Sequence, residues 1–312
     1  MWIRLFLICF TCICIFSACR ETDKPAQAAP PRESFKQKWY AGKAELNSYD
    51  LHQARYGEIR KGEAVMIFVT EDFSPGKLVK IDNPSEEKDK VSVLKLNMSK
   101  NFQTGIYPYS MMLSVFTPIS RDGSEMLLKV TCSSQEWCGH TFSTLMRDNS
   151  GYAWELNSYF EKEAGASGFI DNAIPEDGIW NHIRMNPSTL PRGKILMIPG
   201  LLWQRLSHSD GQSVEAMVRL SDTALVDQPY TNVKAYSIHY PEVNRRLVIY
   251  FNDVFPFEIY GWEETHADGF GAKKQMLTTK AILKKTVWLD YWKLNAVADS
   301  IYRDSLQLMR YE

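Results

Sequence analysis

Apolar and polar residues alternate with a period of two along most of this chain, the pattern of strands that bury one face. Val91-Ser-Val-Leu-Lys-Leu-Asn97 shows it almost strictly, and residues 44–56 more loosely. A β-branched and apolar run covers 63–70, and the glycines at 57 and 62 predict a turn between these two runs and hence a hairpin. Further strands are expected at 78–81, at 104–118 with its prolines at the ends, and at 125–131 after the turn signal Arg121-Asp122-Gly123. The second half adds strands at 194–198, 213–220, 233–240, 246–251, 257–263, 276–285 and 286–292. Helical spacing is confined to two places. From Ile174 to Met185, Pro175 stands early, Glu176 and Asp177 follow, and Ile179 and Ile183 are four apart. The tail 295–309 places Val297, Ile301 and Leu308 on one helical face. Without regular strand–helix alternation, a parallel βαβ sheet is not expected. The chain reads as mainly β, a large curved antiparallel sheet or half-barrel with one or two short helices. Ser114-Val-Phe-Thr-Pro118 and Ser237-Ile-His-Tyr-Pro241 echo one another, which raises the expectation of two similar halves split near 170–190.

The first residues depart from this pattern. Arg4 is followed by an apolar run to Phe16 and then Ser17-Ala18-Cys19, the layout of a secretory signal peptide over 1–18. The run is short for a bilayer core of ~30 Å. Small residues directly before a cysteine resemble the bacterial lipobox, which implies cleavage before Cys19 and acyl chains on that residue. Residues 19–36 are rich in Pro, Ala and charge and are expected to form a tether, with a β-rich globular body over 37–312. The formal charge of the whole chain is −1, with 36 basic and 37 acidic side chains interspersed. That balance offers no electrostatic footprint for nucleic acid and no polybasic patch for anionic lipid, so the expected hold on the membrane is the acyl anchor.

Candidate chemistry is sparse. Cys9, Cys12 and Cys14 would leave with the leader and Cys19 would carry lipid, so Cys132 and Cys138 remain as a pair. In an oxidising compartment they are expected to form a disulfide across a small loop. Two other readings of Cys132-Ser-Ser-Gln-Glu-Trp-Cys138-Gly-His140 stay open. Trp-Cys-Gly-His resembles the opening of a thioredoxin-type redox site, although Thr141 stands where the second cysteine belongs. A metal site on Cys132, Cys138 and His140 lacks an evident fourth ligand, and no metal or cofactor is expected. The six histidines are scattered, and no Gly-x-Ser-x-Gly elbow, P-loop or dinucleotide fingerprint occurs. Glu71-Asp72, Glu161/Glu163 and Glu263-Glu264 are the acidic pairs from which a hydrolase could be built. Aromatic residues crowd the predicted strands, and some are expected to line a concavity suited to a lipid tail. Trp137, His140, Trp154, Tyr260 and Trp262 are the candidate ligand contacts.

The run Trp39-Tyr-Ala-Gly-Lys-Ala-Glu-Leu-Asn-Ser-Tyr-Asp-Leu-His-Gln-Ala-Arg-Tyr-Gly-Glu58, with Ile67-Phe-Val-Thr-Glu-Asp-Phe73 and Gln135-Glu-Trp-Cys-Gly139, resembles a family of uncharacterised bacterial lipoproteins. Some members carry the label "septum formation inhibitor Maf", although the Ser-x-Ser-Pro-Arg-Arg motif of Maf pyrophosphatases is absent here. The resemblance implies no established activity. The expectation is a non-enzymatic, lipid-anchored envelope protein binding an apolar or envelope-derived ligand, with a half-barrel like that of periplasmic lipoprotein carriers. A hydrolase acting on envelope glycans or lipids through an acidic pair and a His such as His140 is the first alternative. A structural or assembly partner is the second. The expected location is the outer membrane, facing the periplasm, or the cell surface.

Overall fold

The alternating runs form strands over most of their length. The computed structural model describes residues 32–86, 88–119, 127–225 and 229–309. Helix α1 (Arg32–Trp39) leads into β1 (Ala44–Arg55), β2 (Glu58–Ser74), β3 (Val79–Lys80), β4 (Val91–Thr104), β5 (Tyr107–Pro118), β6 (Lys129–Glu136), β7 (Gly139–Asp148), β8 (Gly151–Asn157) and β9 (Ala166–Asp171). The second half comprises β10 (Ile174–Pro175), α2 (Gly178–Met185), β11 (Gly193–Ile198), α3 (Leu201–Ser207), β12 (Val214–Thr223) and β13 (Val233–Tyr240). It ends with β14 (Arg245–Asn252), β15 (Ile259–Asp268), β16 (Gln275–Leu289) and the short α4 (Tyr302–Ser305). All these strands belong to one 16-stranded sheet, ordered β10 to β16, then β1, β2 and β4 to β9, with β3 paired to β2. The mainly β, curved-sheet expectation is what is found.

Two residues decide how far that sheet curls. Its edge strands, β9 and β10, are separated in sequence only by Asn172 and Ala173. Strands spaced about 4.8 Å apart would put the edges of so wide a flat sheet ~65 Å from one another. Three residue steps of chain reach at most about 11 Å. The sheet therefore closes on itself into a barrel-like wall, joined by the β1–β16 ladder and left with a seam between β9 and β10–β11.

The interior is filled by two helices, α2, which the spacing of Ile179 and Ile183 predicts, and α3, which was not expected. In α2 the residues Ile179, Trp180, Asn181, Ile183, Arg184 and Met185 are all buried, and in α3 so are Leu201 to Leu206. A helix buried all round belongs inside a core. Polar groups on α2 find partners in the wall: Asn181 Nδ2 donates to Leu94 O at 2.9 Å and to Thr117 Oγ1 at 3.0 Å. Arg184 pairs with Glu45 of β1 at 2.5 Å, and its guanidinium lies over the Phe68 ring.

Several boundaries move. Residues 32–36 of the expected tether are helical, and Phe35 and Trp39, four apart on α1, are both buried against the body. Residues 58–62 are strand and the hairpin turn is Tyr56-Gly57, both with positive φ (60° and 76°). The helix expected from Ile174 starts at Gly178, and the residues before it make β10 and an acidic bend. The tail forms a 3-10 turn at Val297–Ile301 and then α4. Four short α-helices are found where one or two were expected. Residues 1–31, including the leader and Cys19, and the turn expected at Arg121-Asp122-Gly123 lie outside the described residues.

Candidate ligand cleft and the ionic core behind it

Strand alternation aims several charged side chains into the barrel. On β4 the inward positions Leu94, Leu96, Met98 and Phe102 include Lys100, and on β14 the inward Leu247, Ile249 and Phe251 follow Arg245. On β15, Glu264 succeeds Trp262 on the same face. These groups meet Glu176 and Asp177 at the bend before α2. Arg245 Nη1 and Nη2 hold the two Glu176 oxygens at 2.5 and 2.6 Å, and its Nε donates to Glu264 Oε1 at 2.8 Å. The Tyr240 hydroxyl donates to Glu176 Oε2 at 2.7 Å. Burial would raise the Glu264 carboxyl, but Arg245 and Lys100 outweigh it and hold the group at about 2. Burial and then the Glu176 charge push Asp177 the other way, up to about 7. The Lys100 ammonium is lowered by burial, with Glu264 opposing. The free space among them is about 20 Å³, room for a water molecule and no larger ligand.

Asp177 ties this core to the seam. Its Oδ2 accepts the N–H of Leu201, the first residue of α3, at 3.0 Å. At the other end of α3, Arg55 Nη1 donates to Leu206 O at 2.6 Å, a cation on the electronegative helix terminus. Helix α3 thus pinned forms one wall of a cleft whose other wall is β7, β8 and β9. Leu145, Trp154, Leu156, Ile170, Ile198 and Leu201 make the cleft apolar. The Trp154 indole is clamped between two glycines: a Cβ on Gly211 would sit 2.4 Å from Trp154 Cδ2, and one on Gly168 2.7 Å from its Nε1. The lip is polar. Glu163 accepts from Ser158 Oγ at 2.6 Å and from His208 Nδ1 at 2.5 Å, with Arg205 at 3.5 Å. Burial raises the Glu163 carboxyl, but Ser158, His208 and Arg205 together bring it below its ordinary value. Free space in the cleft is again about 20 Å³, since Trp154 fills it.

The five aromatic and histidine candidates do not converge. Trp154 lines the cleft and Trp262 the ionic core. Trp137 stands exposed on the β6–β7 turn, His140 is exposed on β7 opposite Gln135, and Tyr260 stacks on Tyr230 at 3.8 Å. The acidic pair Glu263-Glu264 is split by the strand, Glu264 inward on Arg245 and Glu263 outward on Lys280. The disulfide expectation is overturned, because both cysteines are free. Cys132 is buried opposite Ser143 on β6, and Cys138 is exposed beyond the end of that strand. The four residue steps from Cys132 to Glu136 already cover about 13 Å of extended chain, well past the ~7 Å a bridge allows. The same separation removes the metal reading of Cys132, Cys138 and His140, and among the described residues no group of three His, Cys, Asp or Glu is arranged to hold a metal. Lys100 and Arg245 were missed and Glu264 was noted only as half of an acidic pair, yet each stands on the apolar parity of an alternating strand.

No family model matches the chain, and no curated protein does. Among solved structures it is similar to a β-barrel-like protein of a domain of unknown function, DUF1849, from Brucella abortus. The two share 9% identity with a TM-score of 0.46, over 80% of this chain and 98% of that one. The class of this protein follows from its own sheet: a nearly closed, helix-plugged β-barrel with an apolar cleft at the seam. No helix among the described residues is long and apolar enough to cross a membrane.

Proposed function

We propose that this is a lipid-anchored protein of the bacterial envelope that binds an amphipathic ligand, its apolar chain in the seam cleft and its polar head at the Glu163–Arg205–His208 lip. The observation that carries the reading is the cleft itself, with its apolar lining and polar mouth at the seam between β9 and β10–β11, where α3 packs against the barrel wall. Opening needs only that Trp154 leave its glycine clamp or that α3 shift, since no ladder joins α3 to β9. The anchor is supported by the leader, the Ser17-Ala18-Cys19 site and the resemblance to bacterial lipoproteins. Of the acidic pairs, Glu263-Glu264 is split by its strand and Glu163 is held by His208 and Arg205 at the lip, with His140 apart on β7.

A dansylated undecanoic acid, titrated into the protein as its host matures it, tests the cleft. Saturable one-to-one binding is expected, with transfer of excitation from Trp154 and at least tenfold weaker binding in Leu156→Glu at the mouth. Absence of saturation, or a variant that binds like the wild type, overturns the reading. Mass spectrometry of the same material is expected to show residues 1–18 removed and Cys19 acylated; an unmodified Cys19 removes the anchor.

A further inference from the structure

We propose that the barrel end carrying the mouth of the cleft docks onto a lipid bilayer surface through apolar side chains on successive turn tips. The sheet order places the β15–β16, β1–β2, β4–β5, β6–β7 and β8–β9 connections side by side at that end. Each presents a large apolar group. Phe270 is 65% exposed, Ile106 77%, Trp137 68% and Tyr159 43%. Tyr56 lies between them, its ring 6.1 Å from Phe270 and 6.4 Å from Tyr109.

The arc is continuous. From Tyr109 it passes to Tyr107 at 6.0 Å and on to Trp137 at 6.3 Å. The Tyr159 hydroxyl donates to Glu136 Oε1 at 3.1 Å beside the Trp137 turn, and Phe160 meets the His208 ring at 5.1 Å. It therefore ends at the lip of the cleft. Isolated exposed apolar residues are ordinary, but a rim of them on neighbouring tips is not.

A bilayer fits this rim better than a folded partner. Trp, Tyr, Phe and Ile on separate turn tips can each enter the interfacial region of a membrane without a complementary shape, and the aromatic rings suit that depth. Three of the tips, Tyr56-Gly57, Gly105-Ile106 and Trp137-Cys138, carry no charge, while Lys273 and Lys274 follow Phe270 and Glu161, Lys162 and Glu163 follow Tyr159-Phe160. Helix α1 packs at the opposite end, with Phe35 on Phe255 and the Trp39 carbonyl accepting from Thr70 Oγ1. The proposal rests on the rim's own chemistry; the cleft reading supplies a use for it, a ligand path opening onto the surface that is docked.

Cys138, exposed beside Trp137, allows the test. The protein as its host matures it is labelled there with an NBD maleimide and mixed with phosphatidylcholine–phosphatidylethanolamine vesicles containing doxyl lipid. A Cys138→Ser/Asn149→Cys variant carries the label at the opposite end. Docking predicts at least a twofold rise in NBD emission in vesicles without quencher, and quenching by doxyl lipid at position 138 but not at 149. Trp137→Ala/Phe270→Ala, labelled at Cys138, is expected to weaken that contact at least tenfold while binding the dansyl fatty acid in solution like the wild type. Equal quenching at both ends, no quenching at Cys138, or an unchanged double variant overturns the proposal. So does self-association in sedimentation that the double variant abolishes, since the rim would then face a second copy. Loss of fatty-acid binding with quenching intact would instead count against the cleft alone.

Discussion

Arg245 offers the sharpest test of how the barrel interior is held. Its guanidinium is 1% exposed and lies between two buried carboxylates, Glu176 and Glu264. Arg245→Met leaves those carboxylates facing one another with Lys100 and His266 as the remaining groups that lower Glu264. Breaking a buried pair by removing one partner costs about 3–5 kcal/mol, because the remaining charge stays out of water. For a body of this size about 2 °C of Tm accompanies each kcal/mol, so a fall of ~6–10 °C is expected by calorimetry at pH 8. The pH dependence gives the sign. In the wild type Glu264 is held at about 2, below its unfolded value; the stability it adds is complete above about 4.5 and is lost as pH falls through about 2. Without Arg245, burial raises the Glu264 carboxyl, and a raised acid favours the folded state at low pH. The deficit of Arg245→Met is therefore expected to shrink between pH 8 and pH 5. Arg245→Lys keeps the charge but loses the two-pronged grip on Glu176, and an intermediate loss is expected. A fall under 2 °C, or a deficit that grows on acidification, would refute the reasoning.

Three further outcomes follow from single contacts. Asp177, raised to about 7 by burial and Glu176, makes the wild type lose stability as pH rises from about 4 to about 7. Asp177→Asn is expected to gain on the wild type across that window in urea unfolding, and a difference constant with pH would contradict this. Gly211→Ala drives a Cβ into the Trp154 indole, at 2.4 Å, and is expected to cost about 1–3 kcal/mol with a shift in tryptophan emission; an unchanged spectrum would mean that the clamp is not tight. Iodoacetamide followed by peptide mapping is expected to modify Cys138 in the native protein. Cys132, its thiol pushed up to about 12 by burial, should react only after unfolding, whereas protection of both would restore the bridge.

Much of this protein is legible in the order of its residues, because a strand's period and buried face are local properties. Leu94, Leu96, Met98 and Phe102 mark one face of β4 before any partner is known, and Lys100 among them already signals a charge aimed inward. Ile179 and Ile183 announce α2 by the same logic at helical spacing. Trp154 and Trp262 were recognisable as aromatic candidates, but not as members of two different sites. The cleft lip shows why: Glu163, Arg205 and His208 come from a loop after β8 and from α3, and they meet only because the sheet closes. Closure depends on the β1–β16 ladder, which pairs Ala44 with Leu289, and on the short span from β9 to β10. Apolar alternation is the same whichever strand lies alongside, so it cannot choose between partners far apart in the chain. Residue pattern alone thus determined which segments are strands and which side chains turn inward. Only the tertiary structure decided which edges meet and that the apolar turn tips share one end, because each is set by long-range pairing.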